Sequence, residues 1–282
     1  MRGKTVVITG ATSGIGEVAA IALAKEGARI VFTARDKERA QATLEKLRRV
    51  NPASGHVVHL TDLSLLSEMR RTAEEIKEEP AIDVLVNNAG ALFNSRIETE
   101  DGLEKTFTLN HMSYFVITKL LLPRLKAGAR IINTASDAHH RAKLDFSDLQ
   151  SKKGYSGFAV YSKSKLCNVL FTRELARRIA GTGITANSLH PGFVATRFGD
   201  QSGGMLSALV RVAKPIGAIS PEEGAKTIIY LASSPDVART SGEYFTKCAP
   251  AVPSSEARND NDARKLWDIS TEIAGEVMAK VS

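Results

Sequence analysis

Short apolar runs rich in valine and isoleucine alternate with longer runs of helical period along almost the whole chain. Strand-like runs fall at 5–9, 29–33, 56–59, 82–86, 130–135, 185–190 and 243–245. Between them, apolar positions recur at helical spacing over 15–26, 37–50, 66–78, 103–125, 158–179 and 222–233, and a last helix is expected over about 262–279. Strands that are apolar throughout and separated by helices predict a parallel sheet covered on both faces. No linker, composition shift or internal repeat divides the 282 residues. The expected fold is therefore α/β, one doubly wound domain over 1–282 with about seven strands and helices on both faces.

Composition narrows the class without naming a function. With 43% hydrophobic and 24% charged residues the chain reads as an ordinary soluble globular protein. The formal charge of +7 admits polyanionic partners. However, the densest basic groups, Lys46-Leu-Arg48-Arg49 and Arg70-Arg71, fall in helical patterns and read as solvated faces, so no nucleic-acid partner is expected. Cys167 and Cys248 have neither metal nor redox spacing, and Cys167 reads as a small buried side chain. No metal site is expected. The N-terminus already reads as a strand, and the apolar stretch 114–125 is broken by Lys119, Pro123 and Arg124, so no integral membrane segment is expected. A cytoplasmic location follows as the expectation.

Candidate chemistry gathers where strands end. The first strand runs into Thr9-Gly-Ala-Thr-Ser-Gly-Ile-Gly16 and then a helix. Gly10, Gly14 and Gly16 permit a sharp turn, and with Thr12, Ser13 and Ile15 they would seat a dinucleotide diphosphate on the helix N-terminus. No Gly-Lys-Ser/Thr ending follows, which disfavours a nucleotide-hydrolysing loop. After the second strand come Arg35 and Asp36. Arg35 would accept the 2′-phosphate of NADP while Asp36 caps the next helix; alternatively Asp36 holds the ribose of NAD and Arg35 lies in solvent. NADP is the favoured reading. Asp62 and Leu63, after the third strand, would flank an adenine, and Asp62 also reads as a cap for the helix from Ser64 onward. Asn87-Asn88-Ala89-Gly90 ends the fourth strand with residues small enough to pass close to a ribose. Asn110 interrupts a helical run, as an inward amide holding a water or as a bland surface residue. Ser136 lies past the fifth strand, at the end of the sheet where ligands of open α/β folds bind. His139 and His140 follow it as loop or pocket-rim residues. No Gly-x-Ser-x-Gly elbow surrounds any serine, so a hydrolase triad is not supported. Pro191-Gly192 follows the sixth strand, with Val194 and Thr196 beyond.

Tyr161 and Lys165 head the long helical run 158–179, four positions apart and hence on one face. Such a pair also occurs as an ordinary surface pair. In a catalytic setting, an ammonium about 6 Å from a phenol at an effective dielectric of about 20 favours the phenolate by roughly 3 kcal/mol, or about two pKa units. The phenol is therefore expected to be acidified towards neutrality.

Taken together, TGATSGIG at 9–16, NNAG at 87–90, Asn110, Ser136, Tyr161 with Lys165, and Pro191-Gly192 with Thr196 resemble the short-chain dehydrogenase/reductase superfamily, whose fold is of Rossmann type. Leu109-Asn-His111, Ala138-His-His140, the segment 161–178 and the stretch 242–248 are most similar to its retinol dehydrogenase branch. The resemblance implies that Tyr161 is the acid/base, that Lys165 lowers its pKa and binds the nicotinamide ribose, and that Ser136 orients the substrate oxygen. It further implies that Asn110 holds a water in a proton relay, that Thr196 and the backbone after Pro191, including Gly192 and Val194, fix the carboxamide, and that subunits pair as homodimers or homotetramers through the long helices flanking the fifth strand. Many retinol dehydrogenases carry a hydrophobic N-terminal anchor, and none is expected here.

Between Thr196 and Pro221 stand Phe198, Met205, Leu206, Leu209, Val210, Val212, Ile216 and Ile219. Under the resemblance, 193–221 is a substrate lid suited to a lipophilic ketone, aldehyde or alcohol, and 246–282 a C-terminal extension. The same apolar residues also read as a helix packed on the core. An NADP-dependent carbonyl reductase or alcohol dehydrogenase is the function expected, and a non-catalytic NADP-binding regulator is the rival.

Overall fold

In a computed structural model, residues 1–194 and 219–279 are described. Thr196 and the apolar lid candidates from Phe198 to Ile216 lie outside them. The strands are β1 Thr5–Ile8, β2 Arg29–Ala34, β3 Val57–Leu60, β4 Ile82–Asn87, β5 Leu125–Thr134, β6 Thr185–His190, β7 Tyr244–Thr246 and β8 Ala249–Ala251. They form one sheet in the order β3-β2-β1-β4-β5-β6-β7-β8. Every described pairing is parallel except β7 with β8.

The helices cover this sheet on two sides. Helices α1 (Gly14–Lys25), α2 (Lys37–Val50) and α7 (Pro221–Ser233) bury one apolar layer that includes Ile8, Leu23, Phe32 and Leu47. Helices α3 (Leu66–Lys77), α5 (Ser113–Leu121), α6 (Gly157–Arg178) and α8 (Asp260–Ala279) bury the other, which includes Leu85, Phe115, Ile131 and Phe171. Burial on both faces explains why the central strands carry unbroken apolar runs, Val6–Ile8 in β1 and Val84–Val86 in β4, rather than an alternating pattern.

The structure corrects three expectations of the sequence pattern. The helix expected over 103–125 is not one helix. A single turn, α4 (Lys105–Phe107), passes into a π turn at Thr108–Met112 and then into α5. Pro123, which has no N–H to continue the ladder, sits in a 3₁₀ turn that ends it. Strand β5 then starts at Leu125, five residues early, and an irregular register between Ile82 and Val84 absorbs three extra residues around Gly128. The seven-strand sheet gains an eighth, β8, joined by a hairpin whose Lys247 and Cys248 carry φ of 47° and 61°. Such a turn is normally signalled by glycine or asparagine, and neither is present.

Finally, α8 covers α5 and α6, the helices expected to pair subunits, within the same chain. Trp267 stacks on Phe171 at 5.9 Å and meets Phe115 edge-on at 5.1 Å. Among the described residues, no helix is long and apolar enough to cross a membrane, and no group of three or more His, Cys, Asp or Glu residues could hold a metal ion.

Candidate active site

The site forms where β1, β4 and β5 end. Thr9 and the asparagines at 87, 88 and 133 lock these ends in register. Thr9 Oγ1 accepts from the Asn88 and Ala89 amides at 2.9 and 3.1 Å, and Asn88 Nδ2 donates to the Thr9 and Gly10 carbonyls. Asn87 donates to Asn133 Oδ1 at 2.8 Å, tying β4 to β5, and Asn133 donates to Thr172 of α6. The glycines are required by this closeness. Gly10 has φ 69°, and a Cβ there would come 2.8 Å from Ala89 Cα. At Gly16 a Cβ would collide with Asn88 Nδ2.

Ser13 takes the N-cap position of α1 but makes no side-chain cap hydrogen bond, and Gly14 turns with φ 57°. The first amides of α1 thus face the turn uncapped by a side chain, as an anion seat needs. Ile15, Val194 and the Pro191 carbonyl all border Gly224 of α7, where a Cβ would crowd all three, so the loop after β6 lies near the start of α1. Gly192, with φ 91°, lies against Ile219. At the end of β2, Asp36 accepts from Arg39 N at 2.9 Å and caps α2, while Arg35 is exposed. Asp62 accepts from Ser64 N and Ser64 Oγ in a local turn and does not cap α3, whose Leu66 amide donates to Asp101. Leu63 is buried. These residues fit a dinucleotide. The fit extends to Gly90, where a Cβ would stand 3.1 Å from Asn110 Oδ1 and 3.5 Å from Lys165 Nζ.

Asn110 is fully buried in the π turn, a geometry that frees an amide from helical register. Its Oδ1 accepts from Ala91 N at 2.9 Å, and its Nδ2 donates to Ala91 O and Ser164 Oγ, both at 2.9 Å. Lys165 Nζ donates to Thr134 O at 3.0 Å and lies 5.6 and 5.7 Å from the ring centres of Tyr161 and Tyr114. Ser136 caps the 3₁₀ turn Asp137–Arg141 and hydrogen-bonds with Tyr161. Asn110, Ser136, Tyr161 and Lys165 are thereby brought together.

The electrostatics differ from the sequence expectation of an acidified phenol. Burial pushes Tyr161 up to about 12, only partly opposed by the Ser136 hydrogen bond, and pushes Lys165 down to about 7. Desolvation penalises both charged forms and is the largest cause of both shifts. His139 and His140 lie in the loop turn Asp137–Arg141, but His139 is no rim residue: it is fully buried and held near 4 by desolvation, whereas His140 is exposed. Cys167 is buried, as expected, with its thiol pushed up to about 12 by burial. Sequence reasoning missed Ser164, Asn168 and Tyr114. Asn168 donates to the same Thr134 carbonyl at 3.3 Å and continues the Tyr161–Lys165 face at i+7, a spacing visible in the chain.

A glycine turn on a helix, an asparagine in a π turn and a buried tyrosine–lysine pair meet at the ends of the central strands, an arrangement that suits an oxidoreductase of the nicotinamide-using class. The chain belongs to the short-chain dehydrogenase family, whose model matches residues 4–205. Retinol dehydrogenase 14 of Homo sapiens is 41% identical over 298 residues, spanning 98% of this chain and 87% of that protein, which places the chain in the retinol dehydrogenase branch. A crystal structure of an uncharacterised protein of Mycobacterium paratuberculosis superposes with TM-score 0.78 and 32% identity, over 97% of this chain and 94% of its own. A variant of the actinorhodin polyketide ketoreductase, crystallised with NADPH, superposes with TM-score 0.64 and 30% identity, over 86% of this chain and 94% of its own.

Proposed function

We propose that the protein interconverts a lipophilic ketone or aldehyde and its alcohol using NADP(H), with Tyr161 exchanging the proton. The observation that carries this reading is the convergence of Gly90, Asn110, Tyr161 and Lys165 at one end of the sheet. A retinoid is the first substrate to try, since the similar human protein is a retinol dehydrogenase. The two free cysteines suit the cytoplasm.

The dinucleotide, when bound, supplies or accepts the hydride. Gly10 to Gly16 seat its diphosphate, and Gly90 leaves room beside Lys165 for its ribose. Ser136 orients the substrate oxygen. Tyr161, which keeps its proton at neutral pH, donates it as the oxygen gains negative charge. Burial lowers Lys165 to about 7, and its ammonium form favours an anionic ligand and the phenolate left after transfer. Asn110 holds the π turn and, through Ser164, the start of α6. Asp36 is occupied as a helix cap, which leaves Arg35 as the group to meet a 2′-phosphate.

NADPH consumption over a panel of apolar ketones, aldehydes and retinal tests the reading. Tyr161→Phe should lower kcat by about a thousandfold or more while the Kd for NADPH moves less than about twofold. Near-parental turnover in that variant would remove the mechanism. Tight NADPH binding by the parent without turnover on any substrate would favour the regulator. For the cofactor, Arg35→Ala should weaken NADPH about tenfold or more and NADH hardly at all. Equal losses would refute the 2′-phosphate role.

A further inference from the structure

Two buried histidines stand outside the chemistry above, each within three residues of a group placed in it. His111 follows Asn110 in the π turn, and its Nε2 lies 2.8 Å from Ser270 Oγ on α8. The Ser270 hydroxyl donates to Leu266 O at 2.7 Å. His111 and Ser270 thus share one hydrogen bond, whose donor is set by the imidazole tautomer, and the Asn168 side chain stands on the other side of the ring. His139 lies three residues beyond Ser136. Its Nε2 accepts from the Ser254 amide at 3.2 Å, so Nδ1 carries the proton and donates to Ser136 O at 2.7 Å. Both rings are boxed in by other rings. His111 lies 5.1 Å from Phe107 and 6.2 Å from Phe171, and His139 lies 4.9 Å from Tyr244.

Both distant partners, Ser254 and Ser270, belong to the segment after β8. The two histidines thus tie one C-terminal segment to the two irregular turns that carry Asn110 and Ser136. Neither turn is a regular α-helix or strand, so each depends more than its neighbours on such outside contacts. In a buried setting these hydrogen bonds meet no competing water.

We propose that the C-terminal segment is a working part of the active site: through His111–Ser270 and His139–Ser254 it sets the positions of the Asn110 turn and the Ser136 loop. His111 and His139 are accordingly positioning residues. The inference rests on the oxidoreductase reading above for what the two turns do.

Ser270→Ala, Ser270→Thr and His139→Phe test it in the full chain. Ser270→Ala should lower kcat about tenfold with the NADPH Kd shifted less than about twofold, and Ser270→Thr, which keeps the hydroxyl, should restore kcat. Hydrogen–deuterium exchange on the protein without cofactor should speed up at 108–112 in Ser270→Ala and at 136–141 in His139→Phe. Exchange changes confined to 254–279, or spread evenly over the sheet, would overturn the proposal. So would a kcat within about twofold of the parent in both Ser270→Ala and His139→Phe. Should the parent bind NADPH and turn nothing over, the oxidoreductase reading falls, while the exchange pattern still decides whether the segment holds the two turns.

Discussion

At the scale of residues, the decisive fact is that burial raises Tyr161 and lowers Lys165 together. Charge spacing alone pointed to an acidified phenol. It could not include desolvation, because a sequence does not show that Lys165 is only 3% exposed. A proton-donating phenol suits carbonyl reduction at neutral pH, and it leaves Lys165 as the group of the pair that titrates there. Lys165 has its pKa lowered by burial, so its ammonium is present below about 7 and lost as pH rises through that value. NADPH carries negative charge, and its affinity for the free protein should therefore fall as pH rises from 6 to 8. Titrating NADPH fluorescence at each pH checks this, with Lys165→Met as control. A slope that survives in Lys165→Met would assign the effect elsewhere.

At the scale of elements, the strand–helix alternation, the glycine turn and the Tyr161–Lys165 face were legible because each rests on local periodicity or on glycine. What was not legible rests on tertiary compensation. The run 103–125 keeps a helical apolar period, and only the bonds from Asn110 to Ala91 and Ser164 show why it opens into a π turn. His139 looked like a rim residue until Ser254, 115 positions away, was seen to cover it. The π turn and the NNAG strand end form one interlocked unit. Gly90 has ordinary backbone angles, so a Cβ would be disfavoured there by space alone, 3.1 Å from Asn110 Oδ1. Gly90→Ala should weaken NADPH binding about tenfold while lowering the melting temperature by only a few degrees. Unchanged NADPH affinity in calorimetry would show that the cradle is not where the ribose lies.

Across the whole molecule, neutral imidazoles are built into the packing. Burial holds His111 near 3 and His139 near 4, against 6.5 for the ordinary group, and lowers His56 as well, whose Nδ1 accepts from Ile30 N. The sign follows from which state binds more protons. Above about 6.5 both folded and unfolded histidines are neutral, and no stability is lost. As pH falls below 6.5 the unfolded chain takes up protons that folded His111 and His139 refuse, so stability declines. At pH 5 linkage gives a loss of about 2 kcal/mol for each, a large share of the ~5–15 kcal/mol typical of a domain. Carboxylates whose pKa is lowered by partners, such as Glu68 beside Arg71 and Asp260 beside Arg173, withdraw their contribution only below about 4.5. The interval from 6.5 to 5 therefore isolates the histidines. Urea unfolding across it should show the parent losing stability steeply. His139→Phe should be less stable at pH 7.5 yet lose about one proton's worth less of slope. If parent and variant lose stability in parallel, the buried imidazole at 139 is not the group that senses the acid.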